Sequence, residues 1–120
     1  VICSGVKLTA EALYKRAAKL PNIDIIIPPK VIGKNTINSM QSGIIYGYLG
    51  QIASIVKYMK QELVDDYKQN YEEIKVIATG GLLNLIAKNS DQIDYVDSML
   101  TLNGLKLVYD KNKPKTEGRV

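Results

Sequence analysis

Histidine, tryptophan and phenylalanine are missing from the 120 residues, and cysteine occurs once. Without an imidazole, Ser-His-Asp and Cys-His nucleophile pairs, histidine-ligated metals and a histidine pH switch are excluded within this chain. The lone Cys3 cannot close an internal disulfide. That fits a reducing, cytoplasmic setting, and its place in an apolar stretch predicts a packed rather than a reactive thiol. A starting methionine and a signal peptide are also lacking, and the opening on apolar VIC reads as a fragment of something longer. The length supports one ordinary hydrophobic core and not two.

Excess acidic charge is lacking too: the net charge is +4. Half of it lies in Asp110 to Val120, where Lys111, Lys113, Lys115 and Arg119 face only Asp110 and Glu117. The remainder is mildly basic and shows no interleaving of aromatic with basic residues. We therefore expect no nucleic-acid partner, and we read 1–110 as the folded part and 111–120 as a basic, solvated tail.

Apolar periodicity supplies the elements. Val1 to Cys3 reads as a short strand, broken by Ser4-Gly5. In Thr9 to Leu20, Ala10, Leu13, Ala17 and Leu20 recur at helical spacing behind a capping Thr9, and Pro21 ends the helix. Ile23 to Ile27 is β-branched and short, hence a strand that stops at Pro28-Pro29. Between Lys34 and Lys57 lie 22 consecutive uncharged residues. Their asparagine, glutamine, serine and threonine, with three glycines, argue against a membrane span. Ile37, Met40, Ile44, Tyr48, Ile52, Ile55 and Met59 keep a three-to-four spacing, which predicts a long helix, or two in line, starting at Asn35 or Thr36. Lacking a charged face, it must be covered on several sides, either as the central helix of one domain or as a helix shared with a second subunit. Gly43 and Gly47 mark a face that another backbone can approach. Then follow, from Lys57 to Glu73, the charged, solvated end of that helix and a connection, a strand at Lys75 to Thr79, Gly80-Gly81, a helix over 82–89, a short strand and a closing helix at Thr101 to Tyr109. The fold class is α/β, with long helices on a short mixed sheet.

Two motifs could carry chemistry. IGKNT, at 32–36, is not a P-loop: the required earlier glycine is Pro28, and the hydroxyl residue comes one place too late after Lys34. It still places a glycine, a lysine and a hydroxyl at a helix start, where unpaired N–H groups and the positive dipole end favour an anion. Thr36 is then either a helix cap or a ligand contact. VIATGG, at 76–81, runs a buried strand into two glycines at the carboxyl end where α/β folds bind ligands, so Thr79, Gly80 and Gly81 are candidates for a nucleotide. Asp91, Asp94 and Asp97 recur every third residue. Calcium loops alternate every second, so these read as caps and turns, and no metal ligands are assigned.

Taken in order, SGVKLTAEALYKRAAKLP, VIGKNTINSMQSGIIYGY, VIATGGLLNLIAKNS and IDYVDSMLTLNGLKLVYDKN resemble the C-terminal half of a type III pantothenate kinase, a member of the acetate and sugar kinase, Hsp70 and actin superfamily. The resemblance implies an actin-like, ribonuclease H-like lobe of a cytoplasmic homodimer that moves the ATP γ-phosphoryl to the pantothenate hydroxyl, the first step toward coenzyme A. It implies that Thr36 contacts pantothenate from across the dimer, that Thr79, Gly80 and Gly81 lie against the adenosine, and that the uncharged region 37–56 forms the dimer surface. ATP would come with a divalent cation such as magnesium and with a monovalent cation, potassium or ammonium, whose ligands lie elsewhere. The family's Asp-x-Gly-Asn-Thr and Gly-x-Asp-Arg segments do not occur in this chain. It therefore carries no catalytic residue and should be silent without the N-terminal lobe. The alternatives are a non-catalytic module resembling a transcription accessory factor and a generic nucleotide-binding domain. No membrane partner is expected.

Overall fold

In the computed structural model, residues 1–17, 19–82, 85 and 88–113 are described. They form three α-helices and one small parallel sheet: α1 at Val6–Arg16, α2 at Thr36–Tyr67, a single 3-10 turn at Tyr71–Glu73, β1 at Ile77–Ala78, β2 at Tyr95–Val96, and α3 at Leu100–Asn112. The class is α/β, as the alternation of elements implies. The expected helix over 82–89 and the expected tail at 111–120 fall partly outside the described residues, and Lys111 and Asn112 belong to α3.

At 32 residues α2 is the longest element, about 48 Å at the usual rise per residue. Its sequence explains the length. No proline interrupts it, and the glycines at 43, 47 and 50 cost helix propensity without breaking the hydrogen-bond ladder. Asn35 caps it: extended at φ −145°, it accepts the Asn38 N–H at Oδ1 over 2.8 Å. The other end closes through a left-handed Lys68 (φ 56°). The Lys68 N–H there donates to the Val64 carbonyl at 3.1 Å and the Gln69 N–H to the Leu63 carbonyl at 3.2 Å, so the last carbonyls are satisfied.

The core lies where α1 meets α2. Val6 and Ala10 pack with Ile44, flanked by Leu13, Ile23, Ile25, Tyr48 and Leu82. Val6 (1% exposed) and Ile45 (2%) are the most deeply buried. α1 differs from expectation in register, beginning at Val6 and ending at Arg16. Gly5 precedes its first turn, so Thr9 is not the cap; its Oγ1 donates back to the Gly5 carbonyl at 3.2 Å. The helix stops well before Pro21, with Ala17 already extended and Lys19 at φ 88°.

Two expected strands are absent. Val1–Cys3 and Ile23–Ile27 are irregular, because among the described residues neither finds a neighbouring strand to complete a ladder. In 23–27 the Ile26 N–H turns back to the Asp24 carbonyl at 3.0 Å, and Asp24 also receives a side chain from α2. Cys3, expected to be packed, is exposed for the same reason. The sheet is a two-residue parallel pairing, Ile77 with Tyr95 and Ala78 with Val96, rather than a mixed sheet. Asp94 reinforces it, its Oδ2 accepting the Val76 N–H at 2.7 Å while Asp94 and Tyr95 both donate backbone N–H to the Val76 carbonyl. Asp97 accepts the Met99 N–H at 2.8 Å ahead of α3.

The chain is open. Its radius of gyration, 20.0 Å, exceeds the roughly 14 Å of a compact 120-residue domain. Its accessible surface is 9692 Å², against about 6,500 Å² for a folded monomer of this mass. Much of the surplus is apolar: on α3 the side chains Leu102, Leu105, Leu107, Val108 and Tyr109 are all more than half exposed. Among the described residues, no helix is long and apolar enough to cross a membrane.

Lys68→Gly tests the α2 terminus. A non-glycine residue held in the left-handed region costs roughly 1 kcal/mol, which glycine removes. The variant should melt a few degrees higher, despite losing the exposed contact from Lys68 Nζ to the Asp65 carbonyl; a lower midpoint in calorimetry refutes this account of the cap.

Candidate functional site

The start of α2 places the first motif. Because Asn35 is the cap, Thr36 is not needed for it and becomes the first residue of the helix, exposed. Thr36 lines an open cleft of about 590 Å³ together with Lys34, Asn35, Gly33, Ser39, Met40, and Leu13 and Leu20 from the α1 side. A hydroxyl, an ammonium and a long helix's N-terminal dipole thus stand over an apolar floor. That combination suits a small ligand with a carboxylate or phosphate end and an aliphatic body. No acidic residue lies in the first turn of α2 to oppose it.

Gly33 sets this corner. A Cβ built on it would lie 2.5 Å from the Ser39 N and 2.6 Å from the Ser39 Cα, so only glycine lets the loop touch the helix so closely. The loop before it is strapped down by two side chains of α2. Gln41 Nε2 donates to the Asp24 carbonyl at 3.0 Å, and Ser42 Oγ donates to the Val31 carbonyl.

The second motif leaves β1 at Ala78. Thr79, Gly80 and Gly81 line a separate cavity of about 410 Å³ with Gly5, Val6 and Lys7 from the head of α1, Tyr48 from α2, and Leu82. Gly80 sits at φ 111°, a conformation that side chains rarely adopt. The walls combine exposed backbone, one aromatic face and two aliphatic side chains, and Lys7 stands at the rim. A flat, hydrogen-bonding ring with a negatively charged appendage fits such a lining.

The two motifs do not meet. Thr36 and Tyr48 are twelve residues apart on one helix, about 18 Å along its axis, and each marks its own cavity. Among the described residues, neither cavity is lined by a carboxylate, and no three thiol or carboxylate groups cluster. These donor sets do not fit a divalent cation. They contribute hydrogen bonds and positive charge.

Residues 1–58 match the family model of type III pantothenate kinase. The match relates the chain to a kinase family, transferases that act on pantothenate on the way to coenzyme A. The stretch that resembles type III pantothenate kinases covers α1, the strapped loop, Thr36 and more than half of α2, whereas Thr79, Gly80 and Gly81 lie beyond it. Sequence reasoning located Thr36 and the glycine turn but missed Gln41, Ser42, Tyr48 and Lys7. In the first two, a polar pair interrupts an otherwise apolar buried quadrant of the helix, and that was the available signal.

Gly80→Ala should lower the unfolding free energy by about 1–3 kcal/mol from backbone strain alone, since nothing lies within 4 Å of the added Cβ. Gly81→Ala, where the added Cβ also meets open space and no positive φ is involved, should stay within about 0.5 kcal/mol of the parent. Chemical denaturation of the two variants side by side checks the pair, and equal stabilities contradict the turn geometry.

Proposed function

We propose that this chain is the C-terminal, actin-like lobe of a type III pantothenate kinase, acting in the cytoplasm as a homodimer. Thr36 binds pantothenate, and Thr79, Gly80 and Gly81 lie along the adenosine of ATP. The observation that carries the reading is the release of Thr36 from capping by Asn35. It leaves a hydroxyl beside Lys34 at the mouth of a cleft with an apolar floor. Pantothenate has the complementary parts: a carboxylate for the ammonium and helix end, amide and hydroxyl groups for Thr36, and a methylated carbon body for Leu13, Leu20 and Met40.

The division of the two motifs between cavities supports a composite arrangement. With about 18 Å of helix between Thr36 and Tyr48, which lines the glycine-turn cavity, Thr36 and the glycine turn do not serve one small substrate from one chain. A partner copy allows Thr36 to complete the neighbour's pantothenate site while the glycine turn serves the nucleotide of its own subunit. Surface area supports it too. The surplus of roughly 3,000 Å² is of the size that obligate interfaces bury. The α2 residues Gly43, Tyr46, Gly47, Gly50 and Ser54 are exposed on the face free of α1, within the region 37–56 assigned to the dimer.

Phosphoryl transfer needs aligned phosphates, a divalent cation and a group to receive the hydroxyl proton. Neither cavity here offers a carboxylate for the last two tasks. Those groups, and the ligands of a potassium or ammonium ion, belong to the N-terminal lobe in this reading. The work of this lobe is binding and orientation: Lys34 and Thr36 hold the acceptor, and the glycine turn lets the nucleotide approach the backbone.

Isothermal titration of full-length protein carrying Thr36→Val should show pantothenate affinity reduced about tenfold or more, with ATP binding unchanged. Undiminished affinity removes Thr36 from the site. Sizing by light scattering should find the 120-residue chain as a dimer or larger, and a monomer at tens of micromolar counts against the interface.

A further inference from the structure

Gln41 (5% exposed) and Ser42 (7%) are the buried polar side chains of the described core, placed side by side in the second turn of α2 between Met40 and Ile44. Burying an amide and a hydroxyl in a helix is costly unless both are hydrogen-bonded, and alanine or leucine would favour the helix more. Both polar groups are satisfied, and both by the same loop. Gln41 reaches the Asp24 carbonyl and Ser42 the Val31 carbonyl, seventeen and eleven residues back along the chain. The loop between those points has no ladder of its own, and Pro28 is buried at its middle.

Two clamps and one close approach therefore determine where this loop ends. After Val31 the chain reaches Gly33, pressed against Ser39, and then immediately Lys34, Asn35 and Thr36. Lys30 and Lys34 lie together on the outer side of the same turn with Pro29, Ile32 and Asn38, around a smaller cavity of about 190 Å³. A shift of the loop along α2 would move both ammonium groups relative to the Thr36 hydroxyl while leaving the α1–α2 core in place, because that core uses Val6, Ala10 and Ile44.

We propose that Ser42 and Gln41 are positioning residues for the acceptor site: by holding the 24–33 loop at two carbonyls, they fix Lys34 and Thr36 at the spacing that receives the carboxylate end of the ligand. The inference rests on the reading of Thr36 as a pantothenate contact and adds to it the device that sets its geometry. Neither side chain touches the ligand. Ser42 acts through the Val31 carbonyl, and Gln41 acts through the Asp24 carbonyl, which the Ile26 N–H shares at 3.0 Å.

The experiment is steady-state kinetics of the full-length kinase carrying Ser42→Ala, Ser42→Thr, Gln41→Leu or Thr36→Val. Ser42→Ala and Gln41→Leu should each raise the KM for pantothenate about tenfold, with kcat and the KM for ATP within about twofold of the parent. Ser42→Thr retains a donor and should restore most of the pantothenate KM. If Ser42→Ala fails to fold, Gln41→Leu, which keeps the side-chain bulk, and Ser42→Thr decide the matter. The proposal is overturned if pantothenate KM is unmoved while Thr36→Val raises it, in which case the substrate reading survives alone. It is equally overturned if kcat falls with every KM unchanged, the signature of less folded enzyme. If Thr36→Val also has no effect on pantothenate, the reading of the site fails and this inference with it.

Discussion

The packing of α1 across the first half of α2 is the contact on which everything else is hung. Val6, Ala10 and Ile44 exclude water at one crossing, and three otherwise independent segments attach to it. The 24–33 loop leans against α2 through Gln41 and Ser42, the glycine turn after β1 reaches it through Leu82, and Tyr48 bridges toward the head of α1. Both candidate cavities flank this crossing, one at each end of α1. Loosening it would move the walls of both.

Away from that crossing the molecule is under-packed. Beyond its first turns α2 carries half-buried Ile52, Ile55 and Val56 along a groove with Val1 and Cys3, and α3 stands with its leucines in water. A two-residue parallel sheet is below the size that is stable alone, and it persists here because Asp94 ties its two strands through side chain and backbone together. These features share one physical cause. Among the described residues their apolar faces find no covering neighbour, and the dimer and N-terminal lobe proposed above would cover them.

The long helix was legible because it satisfies several local rules at once: a capping asparagine, apolar residues every three to four positions, and no proline. The motif at its start could be located for the same reason, since helix caps are local. Whether Asn35 or Thr36 served as the cap was not legible, because both side chains can accept the same N–H. The strands were over-read. VIC and IDIII have β-branched composition, but a strand exists only when another pairs with it, and composition says nothing of whether a partner is present. The start of α1 shifted because Thr9 bonds backward to Gly5 rather than forward, a choice between two local hydrogen bonds of similar strength.

By itself, the sequence determined the α/β class, the start of α2, the absence of imidazole chemistry and the placement of Thr36 and the glycine pair at element boundaries, because each follows from interactions within a few residues. Tertiary structure alone decided that the 24–33 segment is a strapped loop, that Cys3 is exposed, and that the two motifs open into separate cavities. Those outcomes depend on contacts between residues eleven or more apart, where the deciding quantity is which partner is within reach.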